Sequence, residues 1–204
     1  MNKKEERSRE AYNRMALNYS ETAEGQYTAP FKQIIAREAV IPANGAVLDM
    51  GCGPGELLEM LNKKCPIQGT GVDISDEMIR VAKARYPQFS FSVSSCAPLP
   101  FETGTFDAVS VSAAFHHFPE PRQFAAEAYR VLKKGGRIYV TDPFYPPLLR
   151  LLANTIYLPL HNAGDVKIYT GKELQRIFAS AGFSDISLAR EGNVQLLKAV
   201  KAGI

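Results

Sequence analysis

The sequence predicts an α/β fold: a mostly parallel sheet closed by a C-terminal antiparallel hairpin. Three observations carry this. Short apolar runs alternate with helix-period segments from about residue 46 to residue 141. A glycine-rich loop, Gly51-Cys-Gly-Pro-Gly55, joins the first run to the helix after it. Near the C-terminus, Gly192-Asn193 separates two extended runs, and a two-residue turn of that kind closes a hairpin.

Taken in order, Tyr12, Met15, Ala16 and Tyr19 fall at i, i+3, i+4 and i+7 and predict an amphipathic helix over residues 5–19. A second helix is expected around Phe31–Val40, stopped by Pro42 and the Asn44-Gly45 turn. Ala46–Met50 reads as a buried strand and Pro54–Lys64 as a helix with Pro54 in its first turn, where a missing N–H costs nothing. Ile67–Asp73 is a strand. Ser75 caps the next helix, with Asp76 and Glu77 in the turn whose dipole favours carboxylates. Phe89–Val93 and Phe106–Val111 are strands. Phe124, Ala128, Val131 and Leu132 share one face of a helix ending at Lys133-Lys-Gly-Gly136, and Arg137–Thr141 is a strand. Thr170-Gly-Lys-Glu173 reads as a capping box, followed by Leu174, Ile177, Phe178 and Ala181 on one stripe and Gly182 as the stop. Ile186 and Leu188 alternate in one strand, and Val194–Val200 returns beside it. No linker interrupts this pattern, so one domain over 1–204 is expected.

The bulk composition excludes several classes. A net charge of +3 on 204 residues does not favour nucleic acid or acidic membranes. Three cysteines, Cys52, Cys65 and Cys96, form no CxxC pair and are odd in number, which opposes a disulfide framework or a zinc site. The charged start MNKKEERSRE has no apolar signal core, so a cytoplasmic location is expected. The apolar stretch Phe144–Leu160 contains Arg150, Asn154 and three prolines, and is too broken to cross a bilayer; no stable membrane insertion is expected.

The glycine loop narrows the ligand. In open α/β sheets, ligands bind beyond the carboxyl ends of the strands. A dinucleotide pyrophosphate expects G-x-G-x-x-G, whereas this loop is G-x-G-x-G and Asp49 precedes it. A carboxylate there repels pyrophosphate and suits a cation such as an amine. Asp73 ends the second strand, where an acidic residue accepts hydrogen bonds from ribose hydroxyls. Ribose plus an aminoacyl cation describes S-adenosyl-L-methionine.

At these residues the chain resembles the class I S-adenosylmethionine-dependent methyltransferases. VLDMGCGPG, GTGVDIS, APLPFETGTFDAVSVSAAFHHF and RVLKKGGRIYV match in order and spacing over about residues 45–142. The subgroup it resembles holds the ubiquinone and menaquinone biosynthesis C-methyltransferases, whose cap helix AYNRMALNY also resembles. The resemblance implies a Rossmann-like, seven-stranded sheet, an N-terminal helical cap over 1–42 and a substrate cover over 143–169. It implies that Asp49 and the backbone of Gly51, Cys52, Gly53 and Gly55 hold the methionine end. Asp73 would bind ribose, Ile74 would pack on adenine, and Ser95 and Cys96 would face the adenine edge. Ser112 and Tyr19 would complete the cofactor side. The family usually has Asp where this chain has Ser95, although a hydroxyl still accepts one hydrogen bond.

A methyltransferase chiefly aligns its acceptor with an activated methyl and excludes water. His116 and His117, after the fourth strand, are the candidate catalytic residues, for acceptor orientation or proton removal; a structural or cofactor-side role is the alternative. Tyr12 and Tyr19 either cover the cofactor or simply pack. The third histidine, His161, has no assigned role. The place after the fourth strand reads SAAFHH rather than Asn/Asp-Pro-Pro-Tyr; Asp142-Pro-Phe-Tyr145 resembles that motif but follows the fifth strand. No nucleic-acid partner and no metal are therefore expected. Phe144–Ile168 is read as an apolar lid over a small hydrophobic or aromatic acceptor; a homodimer contact or membrane-surface contact are the alternatives, and the chain as monomer or homodimer stays open. A non-catalytic protein that binds S-adenosylmethionine or S-adenosylhomocysteine is the alternative function.

Overall fold

The computed structural model describes residues 2–160 and 164–203; His161 lies outside them. The chain opens with helix α1 (Lys3–Met15), a 3-10 turn (Ala16–Glu21) and α2 (Ala23–Glu38). Alternation follows: β1 (Gly45–Met50), α3 (Glu56–Lys64), β2 (Ile67–Asp73), α4 (Asp76–Arg85), β3 (Ser90–Val93) and β4 (Phe106–Ser112). After a 3-10 turn at Phe115–His117 come α5 (Pro121–Val131), β5 (Leu132–Pro143) and α6 (Pro147–Leu152). A π-helical turn (Ala153–Tyr157) leads into α7 (Leu158–Leu160), and α8 (Gly171–Ser180), β6 (Phe183–Glu191) and β7 (Val194–Lys201) close the chain.

Among the described residues, seven strands form one sheet in the order β3-β2-β1-β4-β5-β7-β6. β1 to β5 pair in parallel, and β7 runs antiparallel between β5 and β6. The strand order reverses between β1 and β4, which opens a crevice at their carboxyl ends. Successive residues of β1 explain its run of apolar side chains. Val47 joins Leu57, Leu58 and Leu61 on one face, while Leu48 joins Val109, Phe124 and Val140 on the other. A parallel strand covered on both faces has no polar side to present.

Several boundaries differ from the sequence expectation. α2 begins eight residues before Phe31, with Thr22 capping it and Pro30 inside it. The kink before it depends on Gly25, where a Cβ would lie 1.9 Å from the Tyr19 carbonyl oxygen. Pro54 precedes α3 rather than entering its first turn, because Gly55 at φ +87° is the helix N-cap. α5 stops at Val131, and Leu132 already pairs with Phe106. The Lys-Lys-Gly-Gly stretch is thus absorbed as an irregularity within β5 rather than as a helix end. The Ser75 cap, the Thr170–Glu173 capping box and the Gly192-Asn193 hairpin fall where expected.

The segment after β5 departs most. α6, the π-helical turn and α7 leave Leu148, Leu151, Tyr157 and Leu160 more than half exposed. Only Ala153, Leu158 and Ile168 of this region gather into a buried cluster, with Tyr145 against it. No helix among the described residues is long and apolar enough to cross a membrane.

Candidate functional site

One cleft lies over the carboxyl ends of β1, β2 and β4, with α1 as its roof. It holds roughly 940 Å³ of space, its open mouth included. Its walls include Tyr19, Asp49, Gly51, Cys52, Gly53, Asp73, Ile74, Ser95, Cys96, Ser112 and His117. The structure therefore brings together all the sequence-nominated cofactor residues except Gly55, and one of the two histidines. Gly55 is behind the wall: a Cβ there would lie 2.9 Å from Phe91 Cζ, so the glycine serves packing and the helix cap. His116 is likewise absent from the wall.

The glycine loop uses its donors internally. Gly51 N–H and Cys52 N–H both reach the Val72 carbonyl, at 2.8 and 3.0 Å. Gly53 N–H donates to Asp73 Oδ2 at 2.8 Å, and Gly55 N–H to the Cys52 carbonyl at 3.0 Å. Pro54 has no N–H to give. A phosphate-binding loop works by pointing N–H groups at its ligand, and here they point back into the protein. The loop instead offers room: at Gly53, φ +51°, an added Cβ would meet nothing within 4 Å. At Gly51, φ +67°, a Cβ would lie 2.6 Å from the Ala114 Cβ.

The two acids divide the cleft. Asp49 is buried and accepts a hydrogen bond from Ser110 Oγ at 2.7 Å. Burial pushes its carboxyl up to about 7, against the Ser110 hydroxyl and the nearby Lys32 ammonium. A buried carboxylate with so little compensation is completed by a cationic ligand. Asp73 accepts from Gly53 N–H and, at 2.9 Å, from Ser75 N–H. Burial pushes its pKa up and those N–H groups pull it back. An ionised carboxylate has about four acceptor positions, so two remain for vicinal hydroxyls. Ser95 Oγ donates to the Ala97 carbonyl at 3.2 Å, which leaves its lone pairs to accept. Ser112 Oγ is buried on the wall with no hydrogen-bond partner among the described residues, a polar atom that awaits a ligand. Cys52 and Cys96 are free, and burial raises both thiols, Cys96 to about 12 and Cys52 well above its ordinary value, so neither is a nucleophile.

The far end of the cleft is built from distant segments. α1 is docked on the start of α4: Arg9 Nε and Asn13 Nδ2 reach Asp76 Oδ1 at 2.8 and 3.0 Å, and Ser75 Oγ donates to Asn13 Oδ1 at 2.6 Å. That docking puts Tyr12 Oη 3.0 Å from His117 Nε2. Behind it, His116 Nδ1 lies 2.8 Å from Asp142 Oδ1. Burial opposes charge on His116, but Asp142 and then Asp165 outweigh it, and the net direction is upward. Burial also pushes the Asp142 carboxyl up, with His116 opposing. Asp142, whose Asp-Pro-Phe-Tyr context suggested no role after the fifth strand, is thus the support of His116. Glu5, Ser8, Thr28, Lys32 and Phe118 also line the cleft and were not nominated from sequence. Residues 144–160 are absent from its walls, and Leu148, Leu151 and Tyr157 among them are exposed.

Known proteins resemble this chain in sequence and fold. A family described as a methyltransferase domain matches residues 48–140. Demethylmenaquinone methyltransferase of Thermotoga maritima is 34% identical over 112 residues, 54% of this chain and 48% of the relative. The ubiquinone/menaquinone biosynthesis C-methyltransferase UbiE of Desulfotalea psychrophila is 29% identical over 178 residues, 76% of this chain and 72% of the relative. The chain thus matches about half the length of the first of these curated relatives. Phosphoethanolamine N-methyltransferase 2 of Haemonchus contortus, solved with S-adenosyl-L-methionine, shares the fold with a TM-score of 0.72 at 15% identity, covering 94% of this chain and 60% of that one.

Proposed function

We propose, for a chain that carries a class I methyltransferase domain and resembles the quinone-biosynthesis C-methyltransferases, that it transfers a methyl group from S-adenosyl-L-methionine to a small aromatic, hydrophobic acceptor. The observation that carries the reading is the glycine loop: a buried carboxylate beside it, every loop N–H spent internally, and open space at Gly53. That site favours an ammonium over a pyrophosphate, and so disfavours a nicotinamide dinucleotide.

In this reading Asp49 takes the amino group, and Gly53 leaves room for the aminoacyl chain. Asp73 takes the ribose hydroxyls, Ile74 packs on the adenine, and Ser95 with Cys96 meets its edge. S-adenosyl-L-methionine supplies, when bound, a sulfonium methyl that needs no further activation. The chain's part is to orient the acceptor and keep water out, which is worth on the order of 7–11 kcal/mol in favourable cases. Phe118 and Met78 give the cleft apolar wall, and the α1 roof closes it from above. His117, held by Tyr12, is the acceptor-side polar group, and Asp142 fixes His116 behind it. The relatives named for quinone biosynthesis support a quinol-type acceptor.

Calorimetric titration with S-adenosylmethionine, S-adenosylhomocysteine and NAD tests the cofactor reading: the first two bind and NAD does not. Incubation with methyl-labelled donor and reduced quinones of graded tail length tests the acceptor. Binding with no label transfer to any acceptor marks the chain as a cofactor-binding protein; no binding of either adenosyl ligand overturns the reading.

A further inference from the structure

The histidine end of the cleft holds more than an acceptor-orienting pair. His116 and His117 are neighbours in a tight 3-10 turn, with ring centroids 4.2 Å apart. Facing them is Asp165, carried on the extended strap that leads into α8. The strap is fixed in place by backbone bonds: Val166 N–H and Lys167 N–H both donate to the His116 carbonyl, at 2.8 and 3.2 Å. Asp165 Oδ1 lies 3.5 Å from His116 Nε2 and 3.8 Å from His117 Nδ1. One ligand atom from each of the three side chains falls within 4.8 Å of the others, and all three side chains are about nine-tenths buried.

The supporting hydrogen bonds set the chemistry. The Asp142 carboxylate at 2.8 Å favours the proton on His116 Nδ1, which turns the Nε2 lone pair toward Asp165. Tyr12 Oη can accept from His117 Nε2–H at 3.0 Å, which turns Nδ1 toward the same carboxylate. Two ring nitrogens and a carboxylate oxygen then face one another as acceptors across a small, buried gap. A single proton bridges only one nitrogen to the carboxylate at a time, whereas one divalent cation satisfies all three donors. In a tetrahedral site with bonds of about 2.0–2.1 Å, ligand atoms are about 3.3 Å apart, so Asp165 at 3.5 and 3.8 Å needs small closure onto each ring, and the two ring nitrogens, within 4.8 Å of each other, close by at most about 1.5 Å. A carboxylate behind one histidine and a phenol behind the other is the usual outer support of a metal-bound imidazole.

We propose that His116 Nε2, His117 Nδ1 and Asp165 Oδ1 form a binding site for one divalent transition-metal ion. The donor set, two imidazoles and a carboxylate, suits zinc, cobalt(II) or iron(II) rather than magnesium or calcium. The ion ties the strap at Asp165 to the turn after β4. Three protein ligands leave at least one coordination position for water or an acceptor oxygen. The sequence reading expected no metal because these ligands belong to no spaced motif: a His-His pair and an aspartate 48 residues further on. Ligation stands independently of the methyl-transfer reading, and only the role of the open position draws on it.

The test uses the whole chain, stripped with a chelator and then titrated with Co²⁺ by visible absorption and with Zn²⁺ by calorimetry. S-adenosylhomocysteine affinity and the melting temperature serve as separate controls. The expected result is one equivalent of each metal, with a cobalt band of low-coordinate type. Asp165→Asn and His116→Gln weaken uptake more than 100-fold, and Asp142→Asn, which disturbs only the outer support, weakens it about 10–100-fold. Asp165→Asn keeps its affinity for S-adenosylhomocysteine, which separates loss of the metal site from misfolding. Substoichiometric uptake by the unaltered protein, or uptake that Asp165→Asn and His116→Gln leave unchanged, overturns the proposal. Either result leaves the cofactor reading to be judged by its own titration.

Discussion

The turn after β4 and the helices after β5 are both rich in apolar residues, yet they have opposite fates. Phe115 is completely buried, with its ring 5.3–6.1 Å from those of Phe118, Phe124, Tyr169 and Phe178. Leu148, Leu149, Leu151 and Tyr157 stand in solvent, each more than half exposed. The contrast teaches that apolar composition and burial are different facts. The first segment leaves the parallel strand β4 and leads into α5; the second is a run of short helices that packs mainly through Ala153 and Leu158. Rigid positioning of the cleft's histidines follows from the first, and any role of the exposed helices requires something to cover them.

The sharpest break in this comparison is Phe115→Ala, which should cost about 3–5 kcal/mol of stability by emptying the aromatic cluster. Chemical denaturation measures it, and a cost near that of a surface change would mean the cluster repacks. Next, Asp73→Ala should cost about 1–3 kcal/mol in affinity for S-adenosylhomocysteine, because the ribose loses a charged acceptor and Gly53 N–H loses its partner. Calorimetry reads this directly.

The pH dependence of Asp49 comes third. The folded, unliganded state holds its proton up to about 7 against 3.8 for the free side chain. Its pKa is raised, so the unliganded protein loses stability as pH rises from 3.8 toward about 7, and Asp49→Asn flattens that slope. A cationic ligand needs the ionised form, so affinity should fall about tenfold for each pH unit below the pKa, roughly 1.4 kcal/mol. An affinity independent of pH between 5 and 8 would show that the ligand's amine does not meet Asp49. The smallest effect is expected from Leu151→Ser, within about 0.5 kcal/mol in melting experiments and without change in cofactor affinity. A larger loss of acceptor affinity in the same variant would mean that the helices close over the cleft when it is filled.

Much of the candidate cofactor end of the cleft was legible from residues 47–96 because its determinants are local. Gly51, Gly53 and Asp49 lie within five residues of one another, and Asp73 ends the neighbouring strand, so a spacing rule finds them. Ser75 and Thr170 announce their helices for the same reason: a cap bonds to an N–H three residues away. Gly55 shows the limit of such rules. It belongs to the motif, but Phe91 and Tyr86 on other elements make it a packing residue.

The histidine end was half legible. His116 and His117 stood out as a pair, but nothing local said that one would face the cleft and the other would turn to Asp142. Tyr12 meets His117 across 105 residues, Asp142 meets His116 across 26, and Asp165 comes from a strap whose own sequence carries no signal. The sequence alone settled the strand–helix alternation, the capped helices and a carboxylate-flanked glycine loop, since these depend on contacts between near neighbours. Only the tertiary structure decided that the loop's N–H groups turn inward, that α1 roofs the cleft and that three distant side chains converge on one point. Those depend on how β1, β4 and β5 stack side by side and where α1 docks, and packing between remote segments leaves no period in the chain.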